Sequence, residues 1–180
     1  MKKNKLVKLA LLALVTYVLP HSIQAQDKDD EKLLSESDKA KTEFIKTDPS
    51  MAALFESSYG YVIFPKIGKG GFIVGGSGGD GILYEKGKAI GEVKTGQVTV
   101  GAQIGGQAYR EVIFFETQDA LGRMKASKME FSSQLSAVAV KSGVSKNAKY
   151  TDGVAVFTQD LGGLMAEATV GGQKFKYKAF

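Results

Sequence analysis

Two lysines and three glycines lie close together in residues 65–71, PKIGKGG, and these residue types could bind an anion. Successive backbone N–H groups beside glycines can form a concave anion site, and neighbouring lysines would add positive charge. The candidate binding residues are Lys66, Gly68, Lys69, Gly70 and Gly71. A glycine turn with solvated lysines would explain the same pattern.

A second basic cluster consists of Arg123, Lys125 and Lys128, around the end of a helix predicted over residues 118–127. Cations at this position could complement the helix dipole. They could also bind the same anion as the lysines of residues 65–71. We expect the two clusters to converge on one anion-binding surface.

Enzymatic chemistry has few candidates in this sequence. The one histidine, His21, lies in a predicted export signal, and the chain has no cysteine. This excludes His- and Cys-dependent nucleophiles, zinc sites built from those residues and ordinary haem or iron–sulfur ligation. We therefore expect no catalytic residue, cofactor or metal. The alternative is a hydrolase with two carboxylates, Asp80 with Glu85 or Glu111 with Glu116. An offset of five places Glu111 and Glu116 on opposite faces of an extended strand, which weakens that pair.

The first 25 residues have the pattern of a cleaved secretory signal. Four lysines precede an apolar run at residues 9–19, and small residues follow up to Ala25. The run is shorter than the ~20 residues that a membrane span needs. We predict cleavage between Ala25 and Gln26 and a periplasmic or extracellular protein, peripheral on a membrane.

The charge of the chain changes when the signal is removed. The net charge of +5 falls to +1, which removes the case for a nucleic-acid partner. Residues 26–60 then carry −4 and residues 61–180 carry +5. The predicted domain thus combines an acidic N-terminal segment with a modestly basic remainder.

The periodicity of residues 26–180 predicts one α+β domain. It has a glycine-rich antiparallel β-sheet or barrel-like core, an N-terminal helix pair at about 29–57 and one further helix. Residues 76–81 match G-x-G-x-x-G but lie between strands, which favours a turn over a dinucleotide site. The predicted strands are 61–64, 71–74, 82–84, 89–93, 98–104, 111–115, 136–140, 154–157, 164–170 and 175–177, with a surface loop at 142–152.

The helix predicted over residues 29–46 has an apolar stripe that includes Leu33, Ala40 and Phe44. Its lysines lie opposite the stripe, whereas a membrane-surface helix has lysines beside its apolar face. Docking on the domain is therefore favoured over docking on a membrane. Asp48 is the predicted N-cap of the next helix, and Thr117 caps the third.

A helix followed by three sequence phrases resembles the SYLF domain family of lipid-binding and actin-regulator proteins. The phrases are, in chain order, GYVIFPKIGKGGFIVGGSGGDGILY, TVGAQIGGQAYREVIFFETQDAL and GVAVFTQDLGGLMAEATVGG. The resemblance covers about residues 31–177. It implies a non-enzymatic module that binds anionic phospholipid or phosphoinositide-type headgroups, and an exported bacterial member. Actin is not expected as a partner of an exported chain, and a structural or protein-interaction β domain is a further alternative.

Overall fold

A computed structural model describes residues 20–71, 74–100, 107–132, 135–162 and 170–180. The helices and strands of these residues are α1 (Pro20–Thr47), α2 (Met51–Ser57), β1 (Gly60–Gly71), β2 (Val74–Glu85), β3 (Lys88–Val100), β4 (Gln107–Phe115), α3 (Gln118–Lys125), β5 (Val138–Ala139), a 3₁₀ turn (Val144–Asn147), β6 (Val154–Asp160) and β7 (Lys174–Ala179). No helix in these ranges is long and apolar enough to cross a membrane.

The strands form one seven-stranded sheet in the order β5-β6-β4-β1-β2-β3-β7. All neighbours are antiparallel except β5 and β6. The rings of Phe64 in β1 and Phe175 in β7 lie 6.1 Å apart, although two strands separate them in the sheet. A flat sheet would hold these strands about 14 Å apart. The sheet therefore curls around its inner face, and the predicted α+β class is confirmed.

Glycines in β2 allow the inner face of the curled sheet to pack closely. A Cβ atom on Gly81 would lie 2.6 Å from the carbonyl oxygen of Ile63 and from a ring carbon of Phe64. A Cβ atom on Gly79 would lie 2.5 Å from the carbonyl oxygen of Lys66. The glycine density of this strand thus reflects close approach of β1, as expected for glycine inside a strand.

Helix α1 docks on the outer face of the sheet, as its apolar stripe predicted. Ser37, Ala40 and Phe44 are buried, and the helix packs on β1 and β2. Lys41 Nζ donates a hydrogen bond of 3.1 Å to the hydroxyl of Tyr61. The helix begins at Pro20, before the predicted cleavage site, and export remains a prediction.

Asp48 connects the N-terminal helices to a segment almost a hundred residues away. Helix α2 begins at Met51 with Ser50 in the N-cap position, so the predicted N-cap at Asp48 is wrong. The buried Asp48 carboxylate instead accepts hydrogen bonds from the backbone N–H groups of Ser50, Gly143 and Ser145 at 3.1, 3.1 and 2.8 Å. Burial raises its pKa, but hydrogen bonds from the Ser50 hydroxyl, from Ser145 and from the Gly143 N–H outweigh burial and hold the pKa well below its usual range.

Several predicted boundaries differ from the observed ones. The predicted surface loop 142–152 contains a 3₁₀ turn with Ser145 buried, because Asp48 binds it. The cap at Thr117 is confirmed, since its hydroxyl accepts a 3.3 Å bond from the N–H of Ala120. Of the predicted strand 164–170, only Val170 belongs to the described residues. Residues 101–104, the end of the predicted strand 98–104, also lie outside them.

Candidate functional site

Residues 65–71 lie inside β1 and do not form the predicted loop. Gly68 to Gly71 pair with Gly78 to Gly75 of β2, and Ile67 to Lys69 pair with β4, so that Gly68 and Lys69 have a neighbour on each side. In a strand paired on both sides, successive N–H groups point to alternate neighbours, so they cannot converge on one anion. The predicted loop at residues 65–71 is therefore wrong, since the segment lies in β1, and the paired Gly68 and Lys69 do not have the backbone geometry of a nest.

The individual residues of this segment remain possible binding groups. Lys66 is exposed, and an added Cβ on Gly68 would meet nothing within 4 Å. The side chain of Lys69 lies outside the described part of the chain, and Gly70 and Gly71 contribute backbone only. Anion binding by Lys66 stays a prediction.

The two predicted basic clusters lie on different elements, Lys66 and Lys69 in β1 and Arg123 and Lys125 on α3. Their convergence on one surface stays a prediction. The Lys125 ammonium pairs with Glu85 at 3.3 Å and is thereby partly neutralised. Arg123 and Lys128 are the predicted cations that line the same cavity, and Arg123 also pairs with a carboxylate, that of Asp152 at 2.7 Å.

Arg123 and Lys128 are brought together by the way in which α3 ends. The Ser127 N–H donates to the carbonyl oxygen of Met124 at 2.9 Å, and the Lys128 N–H donates to that of Arg123 at 3.0 Å. Ser127 is in the left-handed region, with φ of 53°. These two bonds form a Schellman motif, in which the residue after the left-handed one folds back on the last helical turn. The motif was missed from the sequence because Ser127 occupies the usual glycine position.

Both cations line a cavity of about 120 Å³ beside the end of α3. After Ser127 the exposed Lys128 and Glu130 alternate with the buried Met129 and Phe131. Leu135, the turn before β6 and Val154 also line the cavity. The full set of lining residues is Arg123, Lys128, Met129, Glu130, Phe131, Ser132, Leu135, Thr151, Asp152 and Val154. We call this cavity the α3 pocket. It has an apolar floor and a charged rim.

The rim of the α3 pocket carries two cations and two carboxylates. Arg123 donates to Asp152 twice, to the carboxylate at 2.7 Å and to the backbone carbonyl oxygen. The carboxylate of Glu130 lies 3.7 Å from the ammonium of Lys174, which is the first residue of β7. Among the described residues, no carboxylate lies within 4.0 Å of Lys128 Nζ. Lys128 is thus the cation of this rim that a ligand can engage without breaking an ion pair.

The curled sheet also encloses a carboxyl group, that of Glu111. Glu111 is fully buried on β4, on the same face as Tyr109. The amide nitrogen of Gln173 donates to Glu111 at 3.2 Å and to the Tyr109 hydroxyl at 3.4 Å. Glu111 Oε1 has no hydrogen-bond partner among the described residues. Burial raises the pKa of Glu111 to about 8, so the carboxyl is largely neutral at pH 7.

Neither carboxylate pair of the hydrolase alternative faces a common cleft. Glu111 is enclosed by the sheet whereas Glu116 is exposed beyond its end. Asp80 pairs with Lys94 at 2.9 Å, and Glu85 lies five residues further along β2, which is about 16 Å. Glycosidase carboxylates lie about 5–9.5 Å apart. These residues therefore do not have the geometry of such a pair.

The fold and the α3 pocket define an α+β protein with a curled antiparallel sheet and an amphipathic surface cavity. No protein-family model matches the chain. The chain is similar to Beta cell expansion factor A of Aeromonas veronii, with 28% identity over 147 residues. The match covers 77% of this chain and 53% of that protein, so the chain spans about half the length of this curated relative.

Proposed function

We propose that this protein is an exported, non-enzymatic module that binds phospholipid headgroups at a membrane surface. The observation that carries the proposal is the α3 pocket, where Arg123 and Lys128 stand side by side above an apolar floor. Cations attract the phosphate of a headgroup, and the floor can cover the apolar part of the lipid next to it. The resemblance to SYLF proteins supports the same function.

The expected attachment is weak and depends on salt. A basic residue near an anionic membrane contributes about 1 kcal/mol, and salt screens this attraction. Of the predicted cations, Arg123 and Lys125 are already paired with carboxylates. The acidic helix α1 is docked on the sheet and offsets the basic charge of residues 61–180. Attachment therefore depends on Lys128, the cation of the α3 pocket with no carboxylate within 4.0 Å among the described residues, and not on the charge of the whole protein.

Co-sedimentation of the purified protein with vesicles tests this proposal. The vesicles contain phosphatidylcholine alone or with phosphatidylglycerol, each at low and high salt. We expect binding that increases with the anionic lipid and decreases with salt. The Lys128→Glu variant should lose most of this binding, whereas Lys176→Glu, an exposed lysine on β7 outside the pocket, is the matched control. Equal losses in both variants would contradict a role of the pocket.

Export is tested separately from lipid binding. The proposal predicts that the protein in the envelope or the culture medium begins at Gln26. Intact mass measurement of protein recovered from these fractions checks this, and recovery of an uncleaved chain from the cytoplasm alone would contradict it.

A further inference from the structure

We infer that the α3 pocket is selective for a headgroup that carries a phosphate and a primary amine, as phosphoethanolamine lipids do. This inference rests on the proposed function and narrows its ligand. Its basis is the balance of charges at the rim, where Glu130 and Asp152 oppose Arg123 and Lys128. A basic pocket would suit any anionic lipid, but this rim offers a partner of each sign.

Two of the four charged groups are already committed to each other. Arg123 holds both the carboxylate and the backbone carbonyl of Asp152, whose backbone is in a left-handed turn with φ of 52°. This pair has two contacts, whereas Glu130 has one contact of 3.7 Å, with Lys174, and Lys128 has no carboxylate within 4.0 Å among the described residues. Lys128 and Glu130 therefore remain to engage a ligand.

Lys128 and Glu130 are placed to bind opposite charges of one small molecule. They are two residues apart in an extended segment whose intervening residue, Met129, is buried, so both side chains point outward on the same side. Their Cα atoms are then about 7 Å apart. The partner of Glu130, Lys174, is 3.7 Å away, and the two side chains are 58% and 73% exposed. Exposed pairs of this kind contribute little, so Glu130 is readily available to an amine.

The carboxylate of Glu130 distinguishes a primary amine from other headgroups. An ammonium group donates charge-assisted hydrogen bonds to a carboxylate, whereas the quaternary ammonium of choline has no N–H to donate. A glycerol headgroup brings no positive charge, which leaves the carboxylates of the rim facing a net negative ligand.

Vesicles with a series of headgroups test this inference. Each contains phosphatidylcholine as the host with an equal fraction of phosphatidylethanolamine, its N,N-dimethyl analogue or phosphatidylglycerol, at one salt concentration. We expect phosphatidylethanolamine to increase the fraction bound at least about fivefold over the host alone, equivalent to about 1 kcal/mol. The dimethyl analogue should give a smaller increase, because it has one N–H in place of three.

A variant of Glu130 and a control variant separate the loss of this carboxylate from an effect on folding. Glu130→Gln should abolish the preference for phosphatidylethanolamine while binding to phosphatidylglycerol persists or increases. Glu36→Gln, an exposed acid on α1 outside the pocket, is the control and should keep the preference. Unchanged circular dichroism melting excludes unfolding as the cause.

The outcomes distinguish this inference from the proposed function. Binding to phosphatidylglycerol without any preference for phosphatidylethanolamine would overturn the inference and leave the proposed function in place. A preference that survives in Glu130→Gln would also overturn it. No binding to any vesicle would overturn both.

Discussion

Replacement of the buried Glu111 by glutamine should remove a large part of the pH dependence of stability. Glutamine has nearly the same shape as the neutral acid and likewise combines a hydrogen-bond donor group with an acceptor oxygen, but it cannot ionise. The carboxyl is fully buried and accepts a hydrogen bond from Gln173, which also donates to the hydroxyl of Tyr109. Its raised pKa in the folded protein means that folding opposes its ionisation.

The size of the effect follows from the two pKa values. The pKa rises from 4.5 to about 8 on folding, and each unit corresponds to about 1.4 kcal/mol, which gives about 5 kcal/mol in total. Because the folded pKa lies above the unfolded one, the unfolded chain loses its proton first as the pH rises. The stability that the neutral carboxyl provides is therefore complete below pH 4.5 and is lost progressively up to about pH 8.

Urea unfolding followed by circular dichroism, from pH 4.5 to 8.5, measures this effect. The free energy of unfolding of Glu111→Gln minus that of the natural protein should rise by several kcal/mol over this range. Other titrating groups contribute equally to both proteins and cancel. Glu116→Gln replaces an exposed acid of the same segment and should show almost no such rise. A rise below about 1 kcal/mol for Glu111→Gln would refute the neutral buried carboxyl.

The same unfolding assay checks three further changes. Gly81→Ala places a Cβ atom 2.6 Å from atoms of β1 and should lower the free energy of unfolding by about 2–3 kcal/mol. Gly68→Ala, which has open space around the added Cβ atom, is the control and should change the free energy of unfolding by less than about 1 kcal/mol. Equal effects of the two changes would contradict the close packing of the inner face. Asp48→Ala leaves three backbone N–H groups without their acceptor and should cost about 3–5 kcal/mol at neutral pH. The pKa of Asp48 is lowered on folding, so the natural protein should lose this contribution as the pH falls below 3.8, and the variant should not. Phe44→Ala should cost about 3–5 kcal/mol, and a cost near zero would mean that α1 is not docked in solution.

The docked helix and the sheet could be predicted because their signals are local. The stripe that contains Ala40 and Phe44 repeats with the period of a helix, and these residues are buried on the sheet. The Thr117 cap precedes its helix directly and binds the N–H group three residues later. In each case the residues that make the structure are a few positions apart in the chain.

The features that the sequence did not predict depend on distant partners or on an unusual residue. Asp48 has the sequence signature of an N-cap, but its carboxylate oxygens accept hydrogen bonds from the backbone N–H groups of Gly143 and Ser145. These residues are far away in the sequence, and no local pattern predicts the contact. Residues 65–71 have the composition of a turn, yet they lie in β1, where Gly68 and Lys69 pair with a neighbouring strand on each side. The Schellman motif that places Lys128 beside Arg123 has Ser127 where glycine is usual.

The burial of Glu111 had a signal in the sequence. Tyr109, Glu111, Ile113 and Phe115 alternate with the residues of the other face, and the apolar members predict an inward-facing strand face. A carboxyl at an inward position is then either neutral or paired. Its partner Gln173 precedes β7, and the curl of the sheet that brings it to β4 is not visible in the sequence.

Hydrogen–deuterium exchange of the protein, with and without phosphatidylethanolamine-containing vesicles, tests the lipid-binding α3 pocket most directly. It reports which backbone segments the membrane covers. The account predicts slower exchange in residues 128–132 and 151–154, which line the pocket, and no change in residues 33–44 of the docked helix. Protection confined to β1 around Lys66, or no protection anywhere, would contradict the account.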